Sequence, residues 1–436
     1  MLTWRSLSSI RVFFSFNLNI EIVLEVNTMH INPATLLMYL HKPNSFEVCD
    51  SDSRGVERPV SAKGVTREFF MSGNNACAEG AILAGCRFYG GYPITPSSEI
   101  AEYMSRRLPQ VAGHYVQMED EIGSIAAVIG ASNAGLKSMT ATSGPGFSLM
   151  MENIGLAFIT ETPCVLVDVQ RAGPSTGMAT LVGQGDMMQV RWGSHGDYEV
   201  IAYSPSNVQE MFDFTVKAFN MSEKYRTPVF LMADQVIGHM NGRLVIPPSE
   251  EIEIVNRKTP TKSDPNFIPF DYGQDFPPMA LAGGGFHVSV ESLTHDERGY
   301  PSLDHDVGAR MQDHLIGKIR NHEEEIIEVE HYLTSDAEVV IVAYGATARS
   351  ALRAVNDARR AGKKVGLLRL ITPWPFPSKE IDRLGANVKT MIVPEVNYGQ
   401  MEHLVREFAP CPVVGVHYAA GALIPPAKIS AALGRS

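Results

Sequence analysis

The sequence predicts an α/β protein with largely parallel sheets in two successive domains, and three observations carry that expectation. From about Arg67 onward, short apolar runs of strand length alternate with longer stretches of helical periodicity, the order that parallel strands and their crossover helices require. A cluster of Pro247, Pro248, Pro260, Pro265, Pro269, Pro277 and Pro278, closed by Gly283-Gly284-Gly285, then interrupts regular structure. Beyond it the same α/β grammar starts again near Glu338.

In the first block, strands are expected at residues 87–89, 137–141, 164–169 and 228–233. Helices are expected between them at 77–84, 97–108, 122–134, 149–160 and 208–224. After the Pro/Gly-rich interval a helix over 308–334 presents Glu323, Glu324, Glu325, Glu328 and Glu330 on a solvated face. The second block reads as strand 338–343, a turn at Gly345, helix 349–361, strand 364–370, a buried-type strand at 390–394 and helix 400–408.

Composition narrows the class. The chain has 436 residues, 44% apolar and 19% charged, as expected of a globular protein rather than a disordered one. Its 37 Lys and Arg stand against 48 Asp and Glu, a net charge of -11, with no basic run to follow a phosphate backbone, so nucleic acid is not an expected partner. No run reaches the length of uninterrupted apolar residues that a spanning helix needs. Cys49, Cys77, Cys86, Cys164 and Cys411 are scattered and form no Cys-x-x-Cys, so they encode neither a zinc site nor a local iron–sulfur cluster. Their odd number fits a reducing, cytoplasmic setting.

Residues 1–64 depart from the rest. Arg11, Asn17, Asn19 and Glu21 interrupt the apolar start, against a signal peptide. Residues 42–63 are polar and without periodicity, the pattern of loop or disorder, and an over-extended start site accounts for the whole segment.

Four constellations could carry chemistry. Tyr92-Pro93-Ile94-Thr95-Pro96 places Pro96 as first helical residue with Thr95 as its cap, and Ile100, Met104 and Leu108 share the face of the helix that follows. A well-capped strand-to-helix turn explains the helix, while paired prolines around one threonine would also aim its hydroxyl at a fixed object. Glu119-Asp120-Glu121 opens a helix of small residues (Gly123, Ala126, Ala127, Gly130, Ala131), where acids suit the helix dipole and the bare surface suits a close neighbour. A carboxylate there, partly buried, can exchange a proton with a ring nitrogen.

Thr142-Ser143-Gly144-Pro145-Gly146 is a strand end followed by a turn, matching neither the P-loop nor Gly-x-Gly-x-x-Gly. Arg171-Ala172-Gly173-Pro174-Ser175-Thr176-Gly177 follows a strand, where an arginine can hold a carboxylate with two parallel hydrogen bonds. A surface arginine on a loop is the plainer alternative. His195 reads as a supporting residue.

In this order, the four motifs resemble the alpha subunit of 2-oxoacid:ferredoxin oxidoreductases, most closely the 2-oxoglutarate type, with the branched-chain and pyruvate types next. The resemblance implies a thiamine-diphosphate pyrimidine-binding domain at 65–245, a parallel sheet with helices on both faces. A connector at 246–334 and a transketolase C-terminal-like α/β domain at 335–436 complete the implied organisation. It implies that Glu121, or alternatively Glu119, bonds the aminopyrimidine N1′ of thiamine diphosphate. Pro93, Ile94 and Gly144 would flank the cofactor, and Thr95, Arg171, Ser175 and Thr176 would contact the 2-oxo acid. The implied reaction is reversible oxidative decarboxylation of a 2-oxo acid with coenzyme A and ferredoxin.

This chain lacks the Gly-Asp-Gly…Asn pattern that carries magnesium diphosphate, and Gly183-Gln184-Gly185-Asp186 imitates it poorly. The resemblance therefore places Mg2+ and the iron–sulfur clusters on beta, gamma and ferredoxin-like partner subunits, and no metal here. Arg191 and Lys137 are the basic groups to consider for a distal carboxylate. A non-catalytic scaffold subunit of the same complex is the competing reading, and loss of Glu121 or Arg171 would have been its mark.

Overall fold

The computed structural model describes residues 10–13, 23–26, 64–261 and 267–434. The chain divides into two compact units, Met1–Arg58 and Pro59–Ser436. In the first, β1 (Ile10–Phe13) pairs antiparallel with β2 (Val23–Val26). The loop expected at 42–63 and Cys49 lie outside the described residues.

The second unit carries two main sheets. The first contains β4 (Cys86–Gly91), β5 (His114–Gln117), β6 (Lys137–Thr142), β7 (Cys164–Ala172), β9 (Ile201–Tyr203) and β10 (Pro228–Asp234), in the order β5-β4-β6-β7-β10-β9. All these pairings are parallel, and every residue of β6, β7 and β10 is buried, because helices cover both faces. β8 (Met178–Val182) turns back antiparallel on the end of β7. β3 (Arg67–Ser72) and β11 (Asn241–Ile246) form a separate antiparallel ribbon.

Helix Gly73–Leu83 runs beneath this sheet against helix Val208–Tyr225. Ser72 and Asn207 cap the two, each accepting from a backbone N–H three residues on. The contact is close because Gly80 has no Cβ, which would otherwise lie 2.6 Å from the Phe212 carbonyl oxygen.

The second sheet has the order β12-β14-β13-β15-β16. Here β13 (Val339–Ala343), β14 (Val365–Leu370), β15 (Thr390–Glu395) and β16 (Val413–His417) are parallel, and β12 (Val329–Tyr332) is antiparallel. Its first strand therefore comes from within the interval assigned above to the connector. The helix expected at 308–334 is instead His305–Arg320, followed by the short helix Glu323–Ile326 and then β12. Pairing of Val329 to Leu370 and of Tyr332 to Leu367 is what draws this glutamate-rich stretch into a sheet edge.

The proline-rich interval is fastened by buried cations. The Arg226 guanidinium donates to the carbonyls of Pro269 and Pro277, each at 3.0 Å, and Arg257 pairs with Glu223 while donating to the Ser132 carbonyl. Helix His305–Arg320 is anchored where His314 and Lys318 both bond Glu161 at 3.0 Å. Burial alone would raise the Glu161 pKa, but Lys318, Arg226 and His314 outweigh it and hold the carboxyl well below the usual range.

Candidate active site

Ligands of open α/β sheets gather outside the carboxyl ends of strands, where the strand order reverses. In the first sheet that point lies between β4 and β6, since β5 was laid down on one side of β4 and β6 on the other. The Tyr-Pro-Ile-Thr-Pro segment leaves β4 there, Ser143-Gly144-Pro145 leaves β6, and Arg171 stands at the end of β7 beside them. Glu121 arrives as first residue of helix Glu121–Asn133, whose cap Asp120 accepts from the Gly123 N–H at 2.8 Å.

Glu121 is buried, and its one side-chain partner given by the structure is Thr142 Oγ1, which donates to Oε1 across 3.4 Å. Burial pushes its pKa up, opposed by the Thr142 hydrogen bond and by Arg171. Glu119, two residues earlier, is exposed. A Cβ at Gly146 would overlap both Glu121 Oε1 and Thr142 Oγ1, so only glycine leaves this carboxylate its place. A buried carboxyl with a raised pKa at a glycine-lined strand end fits the N1′ side of an aminopyrimidine, which must share a proton with it.

The 91–99 segment differs from the expected cap. The Thr95–Pro96 peptide is cis, and the Ser97 N–H donates to the Ile94 carbonyl at 2.9 Å, closing a turn over 94–97. The helix therefore begins at Ser98, and neither Thr95 nor Ser97 makes a side-chain cap. The turn is held from three sides: Arg171 Nη1 donates to the Thr95 carbonyl at 2.7 Å, Asn74 Nδ2 donates to the Pro96 carbonyl at 2.8 Å, and His239 Nε2 lies 3.2 Å from the same oxygen. Pro93 is exposed, and Ile94 and Thr95 are half-buried.

Arg171 is buried, and its Nε has no partner among the described residues. It lines a cavity of about 630 Å³ with Gly144, Ser175 and Asp186 on one wall. The opposite wall comes from the second sheet: Asn397, Tyr398, Gln400 and His403, just beyond β15. Arg171 thus links Thr95, through its hydrogen bond, with Glu121, on which its charge acts, while neither Glu121 nor Thr95 lines the cavity itself. Ser175 joins Arg171 on the cavity wall from the exposed β7–β8 hairpin, and Thr176, exposed on the same hairpin, does not reach that wall.

Neither basic residue considered for a distal carboxylate lines the cavity. Lys137 is buried with its ammonium on the carbonyls of Ala84 and Val255, and Arg191 pairs with Glu199 and stacks on Trp192. His195 is exposed. Cys77, Cys86 and Cys164 are buried and their thiols pushed up to about 12 by burial, which leaves them inert packing groups. Among the described residues no group of three or more His, Cys, Asp or Glu could hold a metal ion, and no helix is long and apolar enough to cross a membrane.

Sequence reasoning missed Asn74, Asp168, Asp186, His239 and the whole second wall. Asp186 alone left a trace, in the Gly-Gln-Gly-Asp stretch.

Fold and site define a class: a two-sheet α/β protein with a buried carboxyl of raised pKa and an arginine at the reversal point of its first sheet. The family described as pyruvate flavodoxin/ferredoxin oxidoreductase, thiamine diphosphate-binding, matches residues 79–313, and pyruvate:ferredoxin oxidoreductase core domain II matches 337–423. The 2-oxoglutarate synthase subunit KorA of Methanocaldococcus jannaschii is 56% identical over 336 residues, spanning 77% of this chain and 90% of the relative. The ketoisovalerate oxidoreductase subunit VorB of Methanothermobacter marburgensis is 40% identical over 344 residues, spanning 78% of this chain and 90% of the relative. A structure of 2-oxoglutarate:ferredoxin oxidoreductase from Magnetococcus marinus, with 2-oxoglutarate, coenzyme A and succinyl-CoA bound, superposes with a TM-score of 0.80 at 34% identity. It covers 92% of this chain and 69% of that one. The chain belongs to the 2-oxoacid:ferredoxin oxidoreductase family, as an alpha-type subunit.

Proposed function

We propose that the chain is the alpha subunit of a 2-oxoglutarate:ferredoxin oxidoreductase, converting 2-oxoglutarate and coenzyme A to succinyl-CoA and CO2 with ferredoxin as electron acceptor, reversibly and in the cytoplasm. The observation that carries the reading is the joining of Glu121, Thr95 and Arg171 at one strand-order reversal. The choice of 2-oxoglutarate is supported by 56% identity to the Methanocaldococcus jannaschii 2-oxoglutarate synthase subunit against 40% to the ketoisovalerate subunit.

When bound, thiamine diphosphate supplies the carbon chemistry of decarboxylation. This chain's residues do the rest of the work on its side. Glu121, protonation-prone through burial, holds a proton at its Oε1 toward the ring nitrogen. Arg171, fixed by the Thr95 carbonyl, orients the carboxylate of the 2-oxo acid, with the Ser175 hydroxyl on the cavity wall beside it. Thr176, farther out on the hairpin, borders the approach. The Asn397 to His403 wall excludes water from the far side. The diphosphate, Mg2+ and iron–sulfur clusters belong to beta, gamma and ferredoxin-like partners, since this chain has no Gly-Asp-Gly…Asn pattern and no cysteine set.

The test is co-expression with the partner subunits and assay of coenzyme A-dependent dye reduction with 2-oxoglutarate, 2-oxoisovalerate and pyruvate side by side. Preference for 2-oxoglutarate is expected, together with a fall on the order of 100-fold or more in kcat for Glu121→Gln in an intact complex. Full turnover by that variant, or robust turnover by this chain alone, would sink the reading.

A further inference from the structure

At the cavity's edge, one member lining it and the other buried behind, lies a pair of acids that the proposed chemistry leaves unused. Asp168 lies inside β7, in register with Thr142 of β6, and is 1% exposed. Asp186 lines the cavity from the start of helix Met187–Trp192, its backbone N–H donating to Gln170 Oε1 at 3.1 Å. The two carboxyls meet each other. Both oxygens of Asp168 and Oδ2 of Asp186 find no donor among the described residues, and neither does the Nε of neighbouring Arg171 in finding an acceptor.

Two ionised carboxylates facing each other in a buried site repel strongly, so such a pair keeps one proton between its oxygens. The charged groups around it are few. Arg171 closes the same strand, Glu121 reaches the adjacent Thr142, and Asp234 follows Ala233 on β10 beside Gln170. Asp234 is already spent on the N–H groups of Ile237 and Ala346. Helix Gly144–Ile159, which meets Asp186 at Gly144, brings no titratable group in its first turn, and Tyr398 and His403 are the titratable residues on the facing wall. Arg171 is therefore the cation against which the pair's remaining negative charge is balanced.

We infer that the Asp168–Asp186 pair is the charge-setting element of the substrate cavity, taking up a proton from solvent when an anionic 2-oxo acid docks on Arg171. The ligand carboxylate then occupies the counter-charge that Arg171 had lent to the pair, and a new O–H bond on the pair removes the repulsion. The titration behaviour agrees in direction. Burial and the neighbouring Asp186 carry Asp168 well above the usual carboxylate range, and burial carries Asp186 up to about 6, each opposed by Arg171. A pair that shares one proton in this way is one that a nearby anion can tip toward a second. Asp168 and Asp186 are positioning residues in this account, acting through Arg171.

This inference rests on the proposed 2-oxo acid site. The experiment is calorimetric titration of the assembled complex, depleted of thiamine diphosphate so that nothing turns over, with 2-oxoglutarate in two buffers of different ionisation enthalpy. Uptake of about 0.5 proton per site is expected near pH 7, with apparent affinity falling about 5–10-fold between pH 6 and pH 8. Asp168→Asn/Asp186→Asn should bind 2-oxoglutarate with no proton uptake and a flat pH profile. Should the double variant fail to assemble, Asp186→Asn, whose amide donates to Asp168 and keeps it ionised, is expected to lose the uptake equally. Buffer-independent heat in the unaltered complex, or uptake that survives both substitutions, overturns the inference alone. Absence of any saturable binding overturns the substrate site, and this inference with it.

Discussion

The two sheets reverse their strand order at two places, and the chain treats those places in opposite ways. In the second sheet the reversal lies between β13 and β15, and Gln184 from the first domain fills it. Its Oε1 accepts from Thr347 Oγ1 at 2.8 Å and from the Val396 N–H at 3.2 Å, while its Nε2 faces Asp234 and the Tyr344 carbonyl. Beside it Glu395 accepts from Tyr344 Oη, Asn397 Nδ2 and the N–H groups of Met401 and Glu402. None of these side chains keeps an unpartnered buried atom. At the reversal of the first sheet, Asp168, Asp186, Ser143 and Arg171 all do. Buried polar groups are costly when unpaired, and a cluster of them on and beside a cavity is what a ligand would complete. The same topological feature serves as a mortise in one sheet and as a site in the other.

The largest test of that contrast is Gly146→Ala. The added methyl must displace Glu121 or Thr142, so turnover in the complex should fall by about 100-fold or more. Thermal stability should fall by only about 1–3 kcal/mol, the usual overpacking cost. Dye reduction and thermal unfolding on the same preparation decide it. Near-full activity would mean that the carboxylate's position is not what the glycine protects.

Gln184→Ala probes the filled reversal and should reverse the pattern. It strands the Val396 N–H, the Thr347 hydroxyl and part of the Asp234 shell. A loss of about 2–4 kcal/mol is expected from thermal or denaturant unfolding of the purified chain. Turnover per folded complex should stay within about twofold, given that the lost bonds are structural ones. Collapse of activity with stability retained would dissolve the distinction between the two places.

Arg171→Lys asks how specific the open site is. Lysine keeps the charge but loses the fork that reaches the Thr95 carbonyl and a ligand carboxylate together. The KM for the 2-oxo acid should rise about tenfold, with a smaller change in kcat. An unchanged KM would remove the arginine from substrate binding.

How much of this was legible beforehand follows from the same physics. Both sheets could be read because β7, β10 and β15 are buried throughout and largely apolar, with β6, buried but rich in Ser and Thr, placed between its flanking helices. β12 could not, because its Glu330 and His331 face outward at a sheet edge and pattern like a charged helix. Thr95 was readable as important but misread as a cap, since a Thr-Pro pair before an amphipathic run signals a helix start equally well. Asp168 hides inside an apolar strand, where a single acid looks like an exception rather than half of a pair. Asn397 to His403 lie more than two hundred residues from Arg171, and nothing local in the sequence joins them to it.

The smallest expected effect separates neighbours on the β7–β8 hairpin. Ser175 has a left-handed backbone, with φ of 57°, and lines the cavity, whereas Thr176 is exposed and does not. If the open reversal point is a site because of what faces it, adjacency in sequence should count for nothing there. Ser175→Ala should raise the KM for the 2-oxo acid about threefold, the loss of one modest hydrogen bond, and Thr176→Ala should leave it unchanged within error. Equal effects would mean that the hairpin acts as a flexible cover whose contacts form only when it closes. In that case Thr176 would rank with Ser175 as a substrate contact, and the wall seen in the open cavity would understate the hairpin's part in the site.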